Sequence, residues 1–296
     1  METRSHPLWI TKPSTAQPDF VSPSSAKTLV ELFTQRCAAD PEALAYAFLR
    51  DDLTITAQLS YANLAIEVRA LARRIAGRTQ PGDRVLLVYG PGLEVVRAFW
   101  ACLHAGTIPV PAPSPDAVRL KRSLPRLLAI ATDAQTALIL TTAAIRDAAS
   151  ELSLPANLDL ASAMASDIDQ AAEGELPRIA PGDLAYLQYT SGSTSAPRGA
   201  MITHANVLAN CKGLTANQEP DATSRSLSWL PYFHDYGLVH GIIWPFYAGM
   251  PAYLMSPVTF VRRPLRWLEA IAQFGISHSG APNFGYAACV QALERS

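Results

Sequence analysis

Tyr189-Thr190-Ser191-Gly192-Ser193-Thr194-Ser195-Ala196-Pro197-Arg198-Gly199 is a run of hydroxyl and glycine residues closed by a proline, a cation and a second glycine. The apolar Leu184-Ala185-Tyr186-Leu187 leads into it, and the pattern predicts a helix over 203–217 after it. A small-residue loop between a strand and a helix exposes backbone N–H groups and hydroxyls to an anion, and Arg198 adds a fixed positive charge. Thr190, Ser191, Gly192, Ser193, Thr194, Arg198 and Gly199 are therefore candidate phosphate-binding residues. No Gly-Lys-Ser/Thr follows, which excludes a Walker A loop, and the spacing of a dinucleotide fingerprint is absent.

Outward from the loop, short apolar strands alternate with amphipathic helices. Before it, helix 28–39 precedes a hairpin of 44–49 and 53–59. Ser60 caps helix 61–76; strand 84–89, helix 92–105, strand 107–110, helix 120–132 and strand 137–141 follow. After it come strand 225–230, helix 237–247, strand 252–255, helix 264–274, strand 276–279 and helix 283–293. This alternation indicates βαβ units and two successive, mainly parallel sheets flanked by helices, an α/β fold. A Ser/Pro-rich arm over 1–26, a first α/β unit over 27–180 and a second over 181–296 are the expected divisions.

A net charge of −1 without Lys/Arg blocks argues against nucleic acid as a partner. The 49% hydrophobic and 17% charged composition supplies ample core material. Cys37, Cys102, Cys211 and Cys289 are scattered without a C-x-x-C pair, which fits reduced thiols in a cytoplasmic protein and no metal site. The N-terminus has no apolar run of the kind that follows a secretory signal's basic start. Residues 237–255 carry no formal charge and approach the length of a bilayer span. Pro245, Gly249 and Pro251 break them, so no integral membrane segment is expected.

A second constellation is Leu230-Pro231-Tyr232-Phe233-His234-Asp235-Tyr236-Gly237-Leu238. Aromatic residues around a His and an Asp suggest a pocket with an apolar body and one polar corner. His234 can hydrogen-bond a carboxylate or a phosphoryl oxygen, or be a satisfied core residue. Asp235 can serve that pocket or cap the following helix.

The loop 190–199 resembles the phosphate-binding loop of the adenylate-forming enzymes, with Ser195 in place of a usual Gly and Arg198 in place of a usual Lys. Residues 230–238, Arg263-Pro264-Leu265-Arg266-Trp267-Leu268 and Ser279-Gly280-Ala281-Pro282-Asn283-Phe284 are most similar to the fatty acyl-AMP ligases within that superfamily. The resemblance implies ATP-dependent activation of a fatty acid to an acyl adenylate with ATP and Mg²⁺ as cofactors. It implies an acyl carrier protein as acceptor partner, or coenzyme A if the chain is a piece of an acyl-CoA synthetase; a remnant without turnover is the third reading. It makes His234 the candidate catalytic residue and places Tyr232, His234, Asp235, Gly237, Gly280, Pro282, Asn283 and Phe284 around the acyl adenylate. In that family the adenine-stacking, ribose-binding and C-terminal lid segments lie beyond the position of Ser296. A complementing C-terminal half is therefore a further expected partner.

Overall fold

The structure, a computed structural model, describes residues 25–114, 120–150, 164–166, 174–189 and 197–295. Thr190, Ser191, Gly192, Ser193, Thr194 and nearly all of the expected arm lie outside the described residues. The chain opens with α1 (Leu29–Ala39), the antiparallel hairpin β1 (Leu44–Leu49) and β2 (Ile55–Ser60), and α2 (Tyr61–Ala76). β3 (Arg84–Tyr89), α3 (Glu94–His104), β4 (Ile108–Pro113), α4 (Leu120–Asp133), β5 (Leu138–Thr141), α5 (Ala143–Ser150) and β6 (Met164–Ala165) follow. Ser60 caps α2 by accepting from the Asn63 N–H, as the sequence suggested.

The second half contains β7 (Leu184–Tyr189), β8 (Gly199–Thr203), α6 (His204–Gln218) and β9 (Ser226–Ser228). A π-helix (Tyr236–Ile243) then runs into α7 (Trp244–Ala248), followed by β10 (Ala252–Met255), α8 (Pro257–Arg262), α9 (Leu265–Phe274), β11 (His278–Ser279) and α10 (Asn283–Leu293). One sheet has the order β4-β3-β5-β6 and is parallel throughout. A second, β11-β9-β10-β1-β2, is parallel except for its β1–β2 hairpin, and β7 and β8 form a third, two-stranded sheet. Strands buried on both faces between layers of helices account for solid apolar runs such as Val85-Leu86-Leu87-Val88. α3 is the helix between the two halves. Val95, Val96 and every residue from Ala98 to His104 are buried, with Trp100 packed on Phe33 and Phe246.

Three features differ from the sequence reading. The five-stranded sheet crosses the expected division near residue 180, because β1 pairs with β10 in the register Tyr46–Ala252 to Leu49–Met255. The expected α-helix over 237–247 is a π-helix followed by a short α-helix. Trp244 N–H bonds the carbonyl of Val239, five residues back, and Pro245 has no N–H to offer Gly241. Finally, the serine-rich segment connects two antiparallel strands rather than a strand and a helix, since Gly199–Thr203 pairs with Leu184–Tyr189. Gly199 permits that pairing, as a Cβ there would sit 2.9 Å from the Tyr189 ring. α6 starts only at His204, and Thr203 and Asn206 close its N-terminus in a reciprocal capping box. A helix N-terminus is thus not what the loop presents to an anion.

Candidate active site

Pairing alone positions the site. β3, β4, β9 and β10 carry their residues toward one end, where open α/β sheets place ligands beyond the carboxyl ends of strands. There a cavity of about 250 Å³ is bounded by the β3–α3 turn Gly90-Pro91-Gly92, by Ser114 after β4, by Ser228 at the end of β9 and by Leu230–Phe233 after it. The other walls come from Gly237 and Ile242 of the π-helix, from Met255 at the end of β10 and from Pro257 and Val258 after it. Its walls are overwhelmingly apolar, with Phe48 and Leu254 contributed by β1 and β10. It joins both halves of the chain.

Tyr232 lines this cavity with its ring but spends its hydroxyl on the scaffold. The buried hydroxyl donates to the Ala112 carbonyl at 2.6 Å and accepts from the Tyr89 N–H at 3.0 Å. Burial pushes its phenol well above the ordinary range, so it stays protonated. Gly237 also lines the cavity, and a Cβ there would collide with the Pro231 carbonyl. That close approach lets the turn 231–236 fold back on the π-helix. His234 closes the turn through its backbone, its N–H bonding Pro231 O at 3.0 Å and its carbonyl accepting from Leu238 N–H at 2.8 Å.

The His234 side chain is exposed and lies against Phe233, a cavity residue, with ring centroids 5.1 Å apart. Partial burial, then the positive charge of Arg126, lower its pKa, against an opposing pull from Asp235. The imidazole is therefore mainly neutral near pH 7 and carries one N–H for donation. Asp235 is exposed and accepts from the Tyr236 N–H at 2.7 Å as the cap of the π-helix, outside the cavity lining. The capping alternative is what the structure displays for it.

The remaining pocket candidates lie apart from the cavity walls. Gly280 is buried against the Tyr236 hydroxyl, which leaves no room for a Cβ. Pro282, Asn283 and Phe284 are exposed at the start of α10, where the Phe284 ring meets Trp229 edge-on at 5.9 Å. Arg198 is exposed at the foot of β8. A residue overlooked in the sequence ties these regions together. Gln188, on β7 two positions before Thr190, donates from Nε2 to the Phe233 carbonyl at 2.8 Å. A buried amide within the apolar run Leu184–Tyr189 was the available signal.

Among the described residues no three His, Cys, Asp or Glu side chains converge as a metal cage, and no helix is long and apolar enough to cross a membrane. All four cysteines are unpaired and buried, and burial pushes the thiols of Cys37, Cys102 and Cys211 up to about 12. They are inert packing groups at neutral pH.

Residues 33–296 match the family model described as AMP-binding enzyme. The chain belongs to the AMP-binding enzyme family. JamA from Moorena producens, a medium-chain-fatty-acid–[acyl-carrier-protein] ligase, is 41% identical over 89% of this chain and 45% of its own length. Among solved structures, the fatty acid AMP ligase from Legionella pneumophila superposes with a TM-score of 0.81 at 32% identity, over 90% of this chain and 46% of that one. A fatty acyl-adenylate ligase from L. pneumophila, in complex with acyl adenylate and pyrophosphate, gives 0.77 and 33% over the same 90% and 46%. The chain spans about half the length of the curated relatives it matches. Within this family the chain has the mainly parallel sheets flanked by helices expected from its sequence.

Proposed function

We propose that this AMP-binding chain takes part in ATP-dependent activation of a fatty acid to its acyl adenylate, for transfer to an acyl carrier protein. The observation that carries the reading is the apolar cavity whose Phe233 wall packs against the His234 ring and is tied by Gln188 to the strand leading into the serine-rich loop. Burying an alkyl chain there contributes about 0.8 kcal/mol per methylene, which favours a long tail over acetate. Neutral His234 would donate its N–H to the carboxylate or to a phosphoryl oxygen, holding the nucleophile in line with the α-phosphorus.

Arg198 and the hydroxyls of Thr190, Ser191, Ser193 and Thr194 would receive the phosphates and the charge that builds on the pyrophosphate leaving group. Mg²⁺, arriving with the nucleotide, would supply positive charge against the phosphates held by Arg198 and these hydroxyls. The cytoplasm supplies all these reactants in a reducing setting that suits four free thiols.

The test is hydroxamate and pyrophosphate formation from fatty acids of graded length with ATP and Mg²⁺, by this chain and by any longer polypeptide containing it. Holo acyl carrier protein and coenzyme A are then offered as acceptors. Acyl-carrier product supports the reading, coenzyme A ester makes the protein an acyl-CoA synthetase, and no adenylate in either form overturns it.

A further inference from the structure

A second cavity, of about 310 Å³, lies at the amino ends of the strands whose carboxyl ends carry the first. It is enclosed by Pro81 and Gly82 before β3, by the α3–β4 turn, by the residues that enter β7 and by His204 at the start of α6. β3 and β4 run between the two cavities, which puts them about 20 Å apart, and no residue lines both. Gly106 allows the enclosure. Its φ of +71° lies in the left-handed region, and a Cβ there would sit 2.6 Å from Pro177 Cγ, so residues 177–179 lie directly over the α3–β4 turn. Leu103, Ile108, Ile179 and Leu184 give the space an apolar body.

Three polar side chains line the same space, and each has bonding capacity left over. His204 is only 2% exposed. Its Nδ1 accepts from the Leu29 N–H at 3.1 Å, so the proton of the neutral ring sits on Nε2. Burial keeps the ring neutral, with its pKa lowered to about 4. Nε2 makes no hydrogen bond among the described residues, and a buried donor left without an acceptor is costly. Asp183 accepts the Ala180 N–H on Oδ2 at 2.7 Å and keeps its other oxygen free among the described residues. Arg178 makes no hydrogen bond or ion pair among them, so the two opposite charges face the cavity without pairing with each other.

This lining suits a zwitterion better than an anion. A bare carboxylate drawn to Arg178 would also meet the charge of Asp183. A molecule with an ammonium beside its carboxylate answers both, and the His204 N–H adds a second donor to the carboxylate. Ligand pockets run from about 300 to 1,000 Å³, and a cavity at the lower end of that range admits a small molecule. We propose that this cavity binds a small aliphatic α-amino acid. Its carboxylate bonds Arg178 and His204 Nε2, its ammonium bonds Asp183, and its side chain packs on Leu103, Ile108 and Ile179. The site is separate from the adenylation machinery and stands whether or not that reading holds.

The experiment uses the full chain and its Arg178→Ala, Asp183→Asn and His204→Asn variants. Asn at 204 keeps an acceptor for the Leu29 N–H and removes the Nε2 donor. Arg178 is exposed, so its variant probes the site without disturbing the core. Saturation-transfer NMR and calorimetric titration use four probes of related carbon frame: L-leucine, isocaproate without the ammonium, isoamylamine without the carboxylate, and leucic acid with a hydroxyl for the ammonium. L-leucine is expected to bind best, with loss of either charged group weakening binding about ten- to a hundredfold. Arg178→Ala and His204→Asn are expected to weaken L-leucine by a similar factor, and Asp183→Asn to weaken L-leucine but not isocaproate. Absence of saturation transfer to L-leucine at millimolar concentration overturns the proposal. So does isocaproate or leucic acid binding as tightly as L-leucine, or wild-type affinity for L-leucine in Arg178→Ala.

Discussion

At the scale of single residues, the site separates groups that hold the scaffold from groups left free for chemistry. Tyr232 belongs to the first kind despite standing in an aromatic-His motif. Tyr232→Phe keeps the cavity wall but removes the hydrogen bonds that the hydroxyl makes with the Tyr89 N–H and the Ala112 carbonyl. Denaturant unfolding is expected to show a loss of about 1–3 kcal/mol, with the acyl-length preference retained. His234 belongs to the second kind, since its ring makes no hydrogen bond among the described residues. His234→Ala is expected to lower adenylation rate about ten- to a hundredfold, with a melting temperature close to wild type. Equal activity would place the carboxylate elsewhere. Arg198→Ala is expected to slow pyrophosphate release in the complete enzyme by a similar factor while leaving fatty-acid affinity unchanged.

At the scale of elements, an amide joins β7 to the turn 231–236. Gln188 donates to Phe233 while its Oε1 has no partner among the described residues. Gln188→Leu removes both the tie and that unpartnered oxygen, so unfolding free energy should change by less than about 1 kcal/mol. Adenylation is expected to fall because Phe233 and His234 lose their register with the loop; unchanged turnover would show that the tie is dispensable. Elements with strong periodicity were legible in the sequence. The strand 84–89 and the helices 61–76 and 264–274 were foreseen closely, because one face or both are filled with apolar residues. β8 was not, since Gly199-Ala200-Met201-Ile202-Thr203 is short, Met201 is exposed and only pairing with β7 makes it a strand. The π-helix was read as α because the two share apolar spacing, and the extra residue per turn leaves no compositional mark. The cavity was half legible. Tyr232 and Gly237 stand in a recognisable motif, whereas Phe48 and Gly90–Gly92 reach it only through tertiary pairing.

At the scale of the whole molecule, burial of histidines links stability to acidity. His104, whose Nδ1 donates to the Trp100 carbonyl, His204, whose Nδ1 accepts from the Leu29 N–H, and His240, packed between Tyr236 and Trp244, all have pKa values lowered to about 4, chiefly by burial. In the unfolded chain these groups titrate near 6.5, so below that pH the unfolded state binds more protons. Their contribution is thus fully present above about pH 6.5 and is lost as pH falls toward 4, by up to about 1.4 kcal/mol per pH unit for each. Urea unfolding at pH 7 and pH 5 should show the decline, and His104→Gln should flatten it. The pairing of β1 with β10 has another consequence, one of timing. Leu44–Leu49 leaves the ribosome some two hundred residues ahead of its partner Ala252–Met255. At ordinary translation speeds of about 5–20 residues per second the nascent hairpin waits on the order of ten to forty seconds with one edge open. During that interval its neighbours are water, chaperones and other nascent chains, so the yield of folded protein should depend on elongation rate more than its equilibrium stability would suggest.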